Sequence, residues 1–511
     1  MLLVRKQVVR DGNTRRGMQA VDNPHMDIER FLEVSGQFRL GDLVTEQPHP
    51  ETVGLAELSQ NQLPDAIDAF HRVDLQAMDS LSACLHPLPR MVQSARETLR
   101  AGGRIFLAGC GATGRLALSI ETLAREDWLE EGMEDRIHGF MAGGDAALIR
   151  SIESFEDFPE YGRRQLQEAG FGPQDLLLAI TEGGETPFVI GACLAAAELS
   201  ERRPWFLFCN PPDLLAKLTE RSRQVLAHPR VESFFLNTGP MALAGSTRLQ
   251  ATTIQMLVAG AALSEALGRQ QARFLIERFQ ALLKSHRPET LAPLIEAEAN
   301  LYAAGDLVLY ETDRYGITVL TDTTERSPTF SLAPFENVNR PGDAVSWSYL
   351  CLPEARDAME AWERLLRRAP RTLEWPELNG RASLQTLLGH DISREAPAWR
   401  AERHPGKRQI PYLVHGPGPV LEFAGHVRDL GLEKEPLLLR HLMLKCCLNL
   451  QSTLVMGRLG LFESNLMTRV KPSNFKLIDR AARHAQYHHQ QRTGEQLAYE
   501  EAVREVFRQL N

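Results

Sequence analysis

The 511-residue sequence is short of the features that mark specialised classes. Its seven cysteines, Cys84, Cys110, Cys193, Cys209, Cys351, Cys446 and Cys447, form no Cys-x-x-Cys pair and sit mostly in apolar runs. They read as reduced, buried thiols of a cytoplasmic protein. No apolar run reaches transmembrane length, so no membrane partner is expected. Charge of one sign is not in excess either: 57 Lys and Arg against 66 Asp and Glu leave −9, spread along the whole chain. Such a balance makes no field to draw in nucleic acid, which is not expected as a partner. The first 25 residues carry Arg5, Lys6, Arg10, Arg15 and Arg16 but lack the apolar core of a secretory signal. They read as part of a disordered extension over residues 1–40, or as the product of a start codon upstream of Met26.

What is present centres on Arg104 to Leu118, RIFLAGCGATGRLAL. A short apolar run breaks into Gly109-Cys-Gly-Ala-Thr-Gly114 and then into helix formers, which predicts strand, tight loop and helix start. Gly111 and Gly114 let backbone N–H groups approach a phosphate, Thr113 supplies a hydroxyl, and the positive helix end favours an anion. The loop has neither the Gly-Lys-Ser/Thr ending of a nucleotide P-loop nor the full Rossmann fingerprint.

Helical patterns precede this strand, and apolar strand candidates follow at His138, Asp175, Trp205 and Phe234, alternating with helix-like segments. Regular alternation argues for a parallel sheet covered on both faces, with ligands at the carboxyl ends of its strands. The polar candidates all lie just after strands: Thr113, Thr181 to Thr186 in TEGGET, Asn210, and Ser246-Thr247-Arg248. Singly, each reads as a helix cap. Their convergence on one sheet edge points instead to a site.

After a helical linker near Arg269 to Ala304 the pattern recurs, with strands at Asp306, Trp347 and Gln409 and helices at Gly316 and Glu433. The counterpart of the glycine loop, Tyr310 to Gly316, has lost its small residues, so this unit is not expected to hold phosphate through its own loop. The tail from Arg469 to Asn511 reads as helical and charged. Its His484, His488 and His489 have no carboxylate or cysteine at ligand spacing, so a solvated face and no metal are expected. The fold class is α/β: two tandem parallel-sheet domains, at 41–285 and 286–465, with a helical carboxy-terminal lid at 466–511.

Several stretches together resemble a known family: Thr45-Glu46 with Leu58-Ser59, GCGATGRLA at 109–117, AGGD at 142–145, SIESFED at 151–157, TPFVIGA at 186–192, CNP at 209–211 and GSTRLQA at 245–251. GITVLTDTTERSPTF at 316–330 and SNFKL near Lys476 extend the likeness. The chain resembles the sugar isomerase (SIS) domain family, in the branch of N-acetylmuramic acid 6-phosphate etherase and glucokinase regulatory protein. Its tandem layout is most like the latter, whereas the single-domain etherase pairs two copies. The resemblance implies a phosphosugar ligand without cofactor, held by Gly111, Thr113, Gly114, Thr181, Gly183, Ser246, Thr247, Arg248 and Lys476. It also implies two catalytic glutamates. One corresponds to Glu156. The other falls on Leu123 in the first domain but on Glu325 in the second, which leaves one composite site, Glu156 with Glu325.

Two carboxylates suit the etherase reaction, which removes the proton beside an aldehyde, protonates departing lactate and activates a water. The resemblance assigns proton transfer at the ether to Glu325, and proton abstraction or water activation to Glu156. The chain departs from the family at Gly183, where the etherase has serine, at Gln250, and at Glu182 and Glu185, which would oppose a phosphate unless they point away. The alternative is a non-enzymatic sugar-phosphate sensor acting on a sugar kinase. An aldose–ketose isomerase is disfavoured because no histidine accompanies the loops.

Overall fold

The computed structural model describes residues 28–38, 40–152, 155–468 and 475–510. The reading of the first 25 residues lies outside them, but the disordered extension expected over 1–40 is corrected from Ile28 onward, where Ile28–Val34 is helical and Phe31, Phe38 and Leu40 are buried. Helices α1 (Leu63–Ser82) and α2 (Leu88–Arg100) lead into the first sheet. Along α1 the residues Ala66, Ile67, Phe70, Val73, Ala77 and Leu81 are buried, a spacing of three and four that lays one apolar stripe on the core.

The sheet is formed by β1 (Ile105–Gly109), β2 (Ile137–Met141), β3 (Leu176–Ile180), β4 (Trp205–Phe208) and β5 (Glu232–Phe235), all parallel, in the order β2-β1-β3-β4-β5. Helix α3 (Ala112–Leu123) follows β1, α4 (Pro187–Leu199) follows β3 and α5 (Gln250–Ala266) follows β5. Successive strand residues face opposite sides. Ile105, Leu107, Leu176 and Leu178 join the core under α1, α2 and α5, while Phe106, Ala108, Leu177 and Ala179 join the one under α4. Burial on both faces is why these strands read as unbroken apolar runs.

Helices α6 (Ala272–Ser285) and α7 (Ala292–Ala303) connect to the second sheet, of β6 (Leu307–Glu311), β7 (Ser348–Cys351), β8 (Gln409–His415), β9 (Val420–Phe423) and β10 (His426–Asp429). Its order is β10-β9-β8-β6-β7. Only β6, β7 and β8 are parallel; β9 and β10 form an antiparallel hairpin that the expected all-parallel sheet did not contain. The hairpin turns at Ala424-Gly425, both with positive φ of 50° and 83°. Helix α8 (Gly316–Phe330) follows β6, and α9 (Leu437–Arg458) is buried along nearly its whole length.

The two sheets are joined by helices rather than by strand pairing. Helix α9 packs on α5, α7 and α8, and α8 packs on α3. Polar groups inside this contact are paired: Arg326 meets Glu298 at 2.7 Å and Asp322 at 2.9 Å, and Arg248 meets Asp322 at 2.9 Å. Helices α10 (Phe475–Thr493) and α11 (Tyr499–Leu510) form a hairpin with its own small core around Ile478, Val503 and Phe31. Arg480 and Arg483 fasten α10 to Glu46 at 2.6 and 3.1 Å. The expected solvated histidine face is corrected at His484. Burial, together with Arg480 and Arg483, pushes its pKa down to about 3. Among the described residues no three metal-binding side chains gather, and no helix is long and apolar enough to cross a membrane.

Candidate functional site

The carboxyl edge of the first sheet is built as the glycine pattern predicts. β1 ends at Gly109 and α3 begins at Ala112, with Gly111 between them at φ 54°, ψ −120°. A Cβ on Gly114 would stand 2.4 Å from Met141 Cβ, so this glycine lets α3 lie close against β2. Thr113 turns its hydroxyl back into the loop, donating to the Cys110 carbonyl and accepting from the Cys110 N–H, each at 3.0 Å. Thr181 Oγ1 lies 3.0 Å from Thr186 Oγ1. Asn210 braces the same loop by donating to Gly183 O at 3.0 Å and Thr45 Oγ1 at 2.9 Å, which accounts for Thr45 and the CNP stretch together. Ser246 is 3% exposed and its hydroxyl has no hydrogen-bond partner among the described residues.

Four glutamates and a lysine gather here. Glu156, on the turn Phe155–Asp157, accepts from Cys110 Sγ at 3.1 Å and so touches the glycine loop. Glu325 arrives from the second unit on α8 and is held at 2.5 Å by Arg115 Nη1, whose other amino group donates to Leu148 O. Glu182 is buried, which pushes its pKa up to about 7; Glu325 adds to the rise, against Lys476 and a hydrogen bond with Thr247. Glu185, also buried, is ion-paired with Lys476 at 2.8 Å and with Arg221 at 3.1 Å. Burial alone would raise it, but these two cations outweigh burial and hold it below the usual carboxylate range. Asp157 is pushed up by burial and by the carboxylates of Glu156 and Glu185.

The predicted residues therefore divide. Gly111, Thr113, Gly114, Thr181, Gly183, Ser246, Thr247, Glu156, Glu325 and Lys476 lie around this edge or reach it. Arg248 turns its guanidinium to the contact between the units, where it binds Asp322 at 2.9 Å and Thr453 Oγ1 at 3.0 Å. Lys476, expected to meet a phosphate, is committed to Glu185. Of the two suspect glutamates, Glu185 is neutralised in place by its cations, while burial leaves Glu182 only partly ionised near neutral pH. A charge pair 5 Å apart at an effective dielectric near 20 is worth about 3 kcal/mol, so these acids bear directly on any anion entering.

Sequence reasoning missed the residues that position the glutamates. Arg115 was visible only as part of the glycine motif, although an arginine in an otherwise apolar helix start was a signal. Arg221 carried none. Nor did the segment after Leu366, which crosses from the second unit to the first. There Arg368 meets Asp145 at 2.6 Å and Glu121 at 3.1 Å, and Arg371 meets Glu121 at 2.8 Å. Trp375 then stacks on Phe155, centroids 5.5 Å apart, with the Arg164 guanidinium 3.8 Å from its ring centroid. The turn bearing Glu156 is thus clamped by the second unit. The matching edge of the second sheet holds an open crevice of about 460 Å³, lined among others by Glu311, Asp313, Arg314 and His415.

A five-stranded parallel sheet with a glycine loop at its switch point, repeated as a second α/β unit that lends a glutamate across the contact, defines a double phosphosugar-type α/β protein. Residues 88–198 match the family model of the glucokinase regulatory protein N-terminal SIS domain. The N-acetylmuramic acid 6-phosphate etherase of Salmonella agona is 33% identical over 220 residues, covering 43% of this chain and 68% of that enzyme. The etherase of Synechococcus elongatus is 33% identical over 218 residues, covering 43% of this chain and 66% of that enzyme. The chain belongs to the SIS domain family, in the branch of these etherases and the glucokinase regulatory protein. It spans about two thirds of the length of the etherases it matches. Among solved structures, the C-terminal domain of glucosamine-fructose-6-phosphate aminotransferase from Francisella tularensis is 11% identical. It covers 78% of this chain and 96% of its own, with a TM-score of 0.36. Glucosamine-6-phosphate deaminase from Thermotoga maritima is 10% identical, covering 75% and 94%, with a TM-score of 0.35. Both likenesses are loose.

Proposed function

We propose that this chain is a cytoplasmic double-SIS sugar-binding protein with domains at 41–285 and 286–465 and a lid at 466–511, acting as an etherase-like carbon–oxygen lyase. The substrate is an N-acetylmuramic acid sugar, for which the relatives' N-acetylmuramic acid 6-phosphate is the reference. The products are D-lactate and the matching N-acetylglucosamine sugar. No cofactor is called for. The observation carrying this reading is that Glu156 and Glu325 reach the same edge from different units: Glu156 is bonded to Cys110 Sγ, and Glu325 lies in the field of Glu182, which in turn acts on Cys110.

On the ring-opened sugar, Glu156 takes the proton from the carbon beside the aldehyde. The bond from the next carbon to the ether oxygen then breaks, and its electron pair leaves on lactate. Glu325 gives lactate its proton, and Arg115 at 2.5 Å stabilises the carboxylate left behind. Water then adds to the carbon that lost lactate and gives its proton to Glu325, while Glu156 returns its proton to the carbon beside the aldehyde, which restores both side chains. The reading is tested by incubating the protein with N-acetylmuramic acid, with and without its 6-phosphate, and measuring lactate. Lactate is expected from at least one form, and Glu325→Gln is expected to abolish release while sugar still binds. Full activity in that variant would remove Glu325 from the mechanism. The match to the regulatory-protein family model favours one second reading, a sensor that controls a sugar kinase. Sugar-induced stabilisation without lactate release would select it.

A further inference from the structure

We infer that the sugar this site accepts is unphosphorylated, because the Glu185 carboxylate, clasped by Lys476 and Arg221, already fills the seat of the ligand's anion. The inference rests on the reading that the carboxyl edge of the first sheet is the sugar site, and it narrows the ligand class there.

Glu185 is 2% exposed, and each of its carboxylate oxygens has a cation: Lys476 Nζ at 2.8 Å from Oε1 and Arg221 Nη2 at 3.1 Å from Oε2. Arg221 Nε also donates to the Glu185 carbonyl, so both the side chain and its backbone are gripped by one guanidinium. A buried carboxylate so paired is a satisfied anion, and separating it from its cations strands a charge in low dielectric. The neighbouring residue accommodates it. A Cβ on Gly183 would stand 3.0 Å from Glu185 Oε1 and 3.2 Å from its Cγ, so the carboxylate folds over a position where any side chain would push it away. The bare glycine and the inward glutamate are one arrangement.

An incoming phosphate dianion would find Lys476 engaged with Glu185 and would meet the Glu156 carboxylate where it touches the glycine loop. Cys110 lies in the fields of Glu156 and Glu182 as well as that of Lys476, which places these charges around the glycine loop itself. Sugar hydroxyls meet the opposite situation: carboxylates accept from them, and the buried Ser246 hydroxyl, which has no partner among the described residues, gains one.

The full chain would be titrated at neutral pH with N-acetylglucosamine and N-acetylglucosamine 6-phosphate, following heat of binding and thermal shift. Lactate release would be compared between N-acetylmuramic acid and its 6-phosphate. The unphosphorylated sugars are expected to bind at least about tenfold more tightly than the phosphates. Glu185→Ser, which frees Lys476 and Arg221, is expected to raise affinity for the 6-phosphate by about tenfold or more. Glu185→Gln, which keeps the shape and removes the charge, should shift the preference the same way if the serine variant fails to fold. A wild-type preference for the 6-phosphate, no gain in a folded Glu185 variant, or no binding of either sugar overturns the inference. Lactate from the phosphorylated form alone overturns it while upholding the lyase. Tight binding of the plain sugar without lactate upholds it while the lyase reading falls.

Discussion

At the scale of single residues, the buried acids are not alike, and their differences set how the protein responds to pH. Asp74 on α1 is fully enclosed, with Gln250 donating to it at 2.7 Å, and burial pushes its pKa from 3.8 up to about 7. Because the folded value is the higher one, the stability this group contributes is complete below about pH 4 and is lost as pH rises through about 7. The span is worth roughly 4 kcal/mol. Glu182 acts in the same direction. Glu46 and Glu185 act oppositely: cations hold both below 4.5, so their contribution is present above that value and fades on acidification. From pH 5 to 8 Asp74 therefore gives the denaturation curves a component that falls towards pH 8, against the opposite slope from buried histidines such as His484, whose pKa is lowered. Asp74→Asn, which keeps an acceptor for Gln250, should remove the falling component; an unchanged slope would show that Asp74 is ionised in the fold. Residue identities were legible in the sequence at the loops, but their directions were not. Arg248 sits inside a recognisable motif yet turns towards Asp322, because only the assembled second unit supplies that carboxylate.

Secondary elements were legible wherever burial was continuous. The strands β1, β3 and β4 are apolar runs because both their faces are covered, and the glycine loop announced the β1–α3 turn. The β9–β10 hairpin was silent for the converse reason. β10 is the edge strand HVRD, with Val427 65% exposed, so no apolar alternation marks it. The segment around Trp375 was silent too, since its meaning depends on Phe155 and Arg164, more than two hundred positions away. Removing that clamp is a test at the level of the element. Trp375→Ala is expected to cost about 3 kcal/mol, as large-to-small changes of a buried aromatic do, and to speed amide exchange across the turn at Phe155–Asp157. Lactate release should fall with it, because Glu156 rides on that turn. Unchanged exchange there would mean that the turn is held by the glycine loop alone.

For the whole molecule, the decisive feature is that the glutamate lent to the first sheet comes from the same chain. Helix α8 packs on α3 within one polypeptide, and Arg115 on α3 grips Glu325 on α8. Mixing a Glu156→Gln chain with a Glu325→Gln chain should therefore restore no lactate release at any ratio, since each chain carries its own defect into its only composite site. Recovery towards a quarter or half of wild-type activity would instead place Glu325 in a neighbouring chain. The two-unit architecture itself was visible as a recurring strand and helix pattern. The helical joint was not, because nothing in a local window distinguishes α9 as a partner of both units. Fusion has one more consequence, which concerns inheritance rather than force. In a symmetric pair of identical chains, every substitution is copied into both sites at once, so a change that improves one site is imposed on the other. Two sheets written separately in one gene are released from that rule. Leu123 could settle into the core of one unit while its counterpart Glu325 stayed polar in the other, and the Glu182 and Glu185 carboxylates could enter a single pocket. Covalent linkage has made the two halves free to diverge.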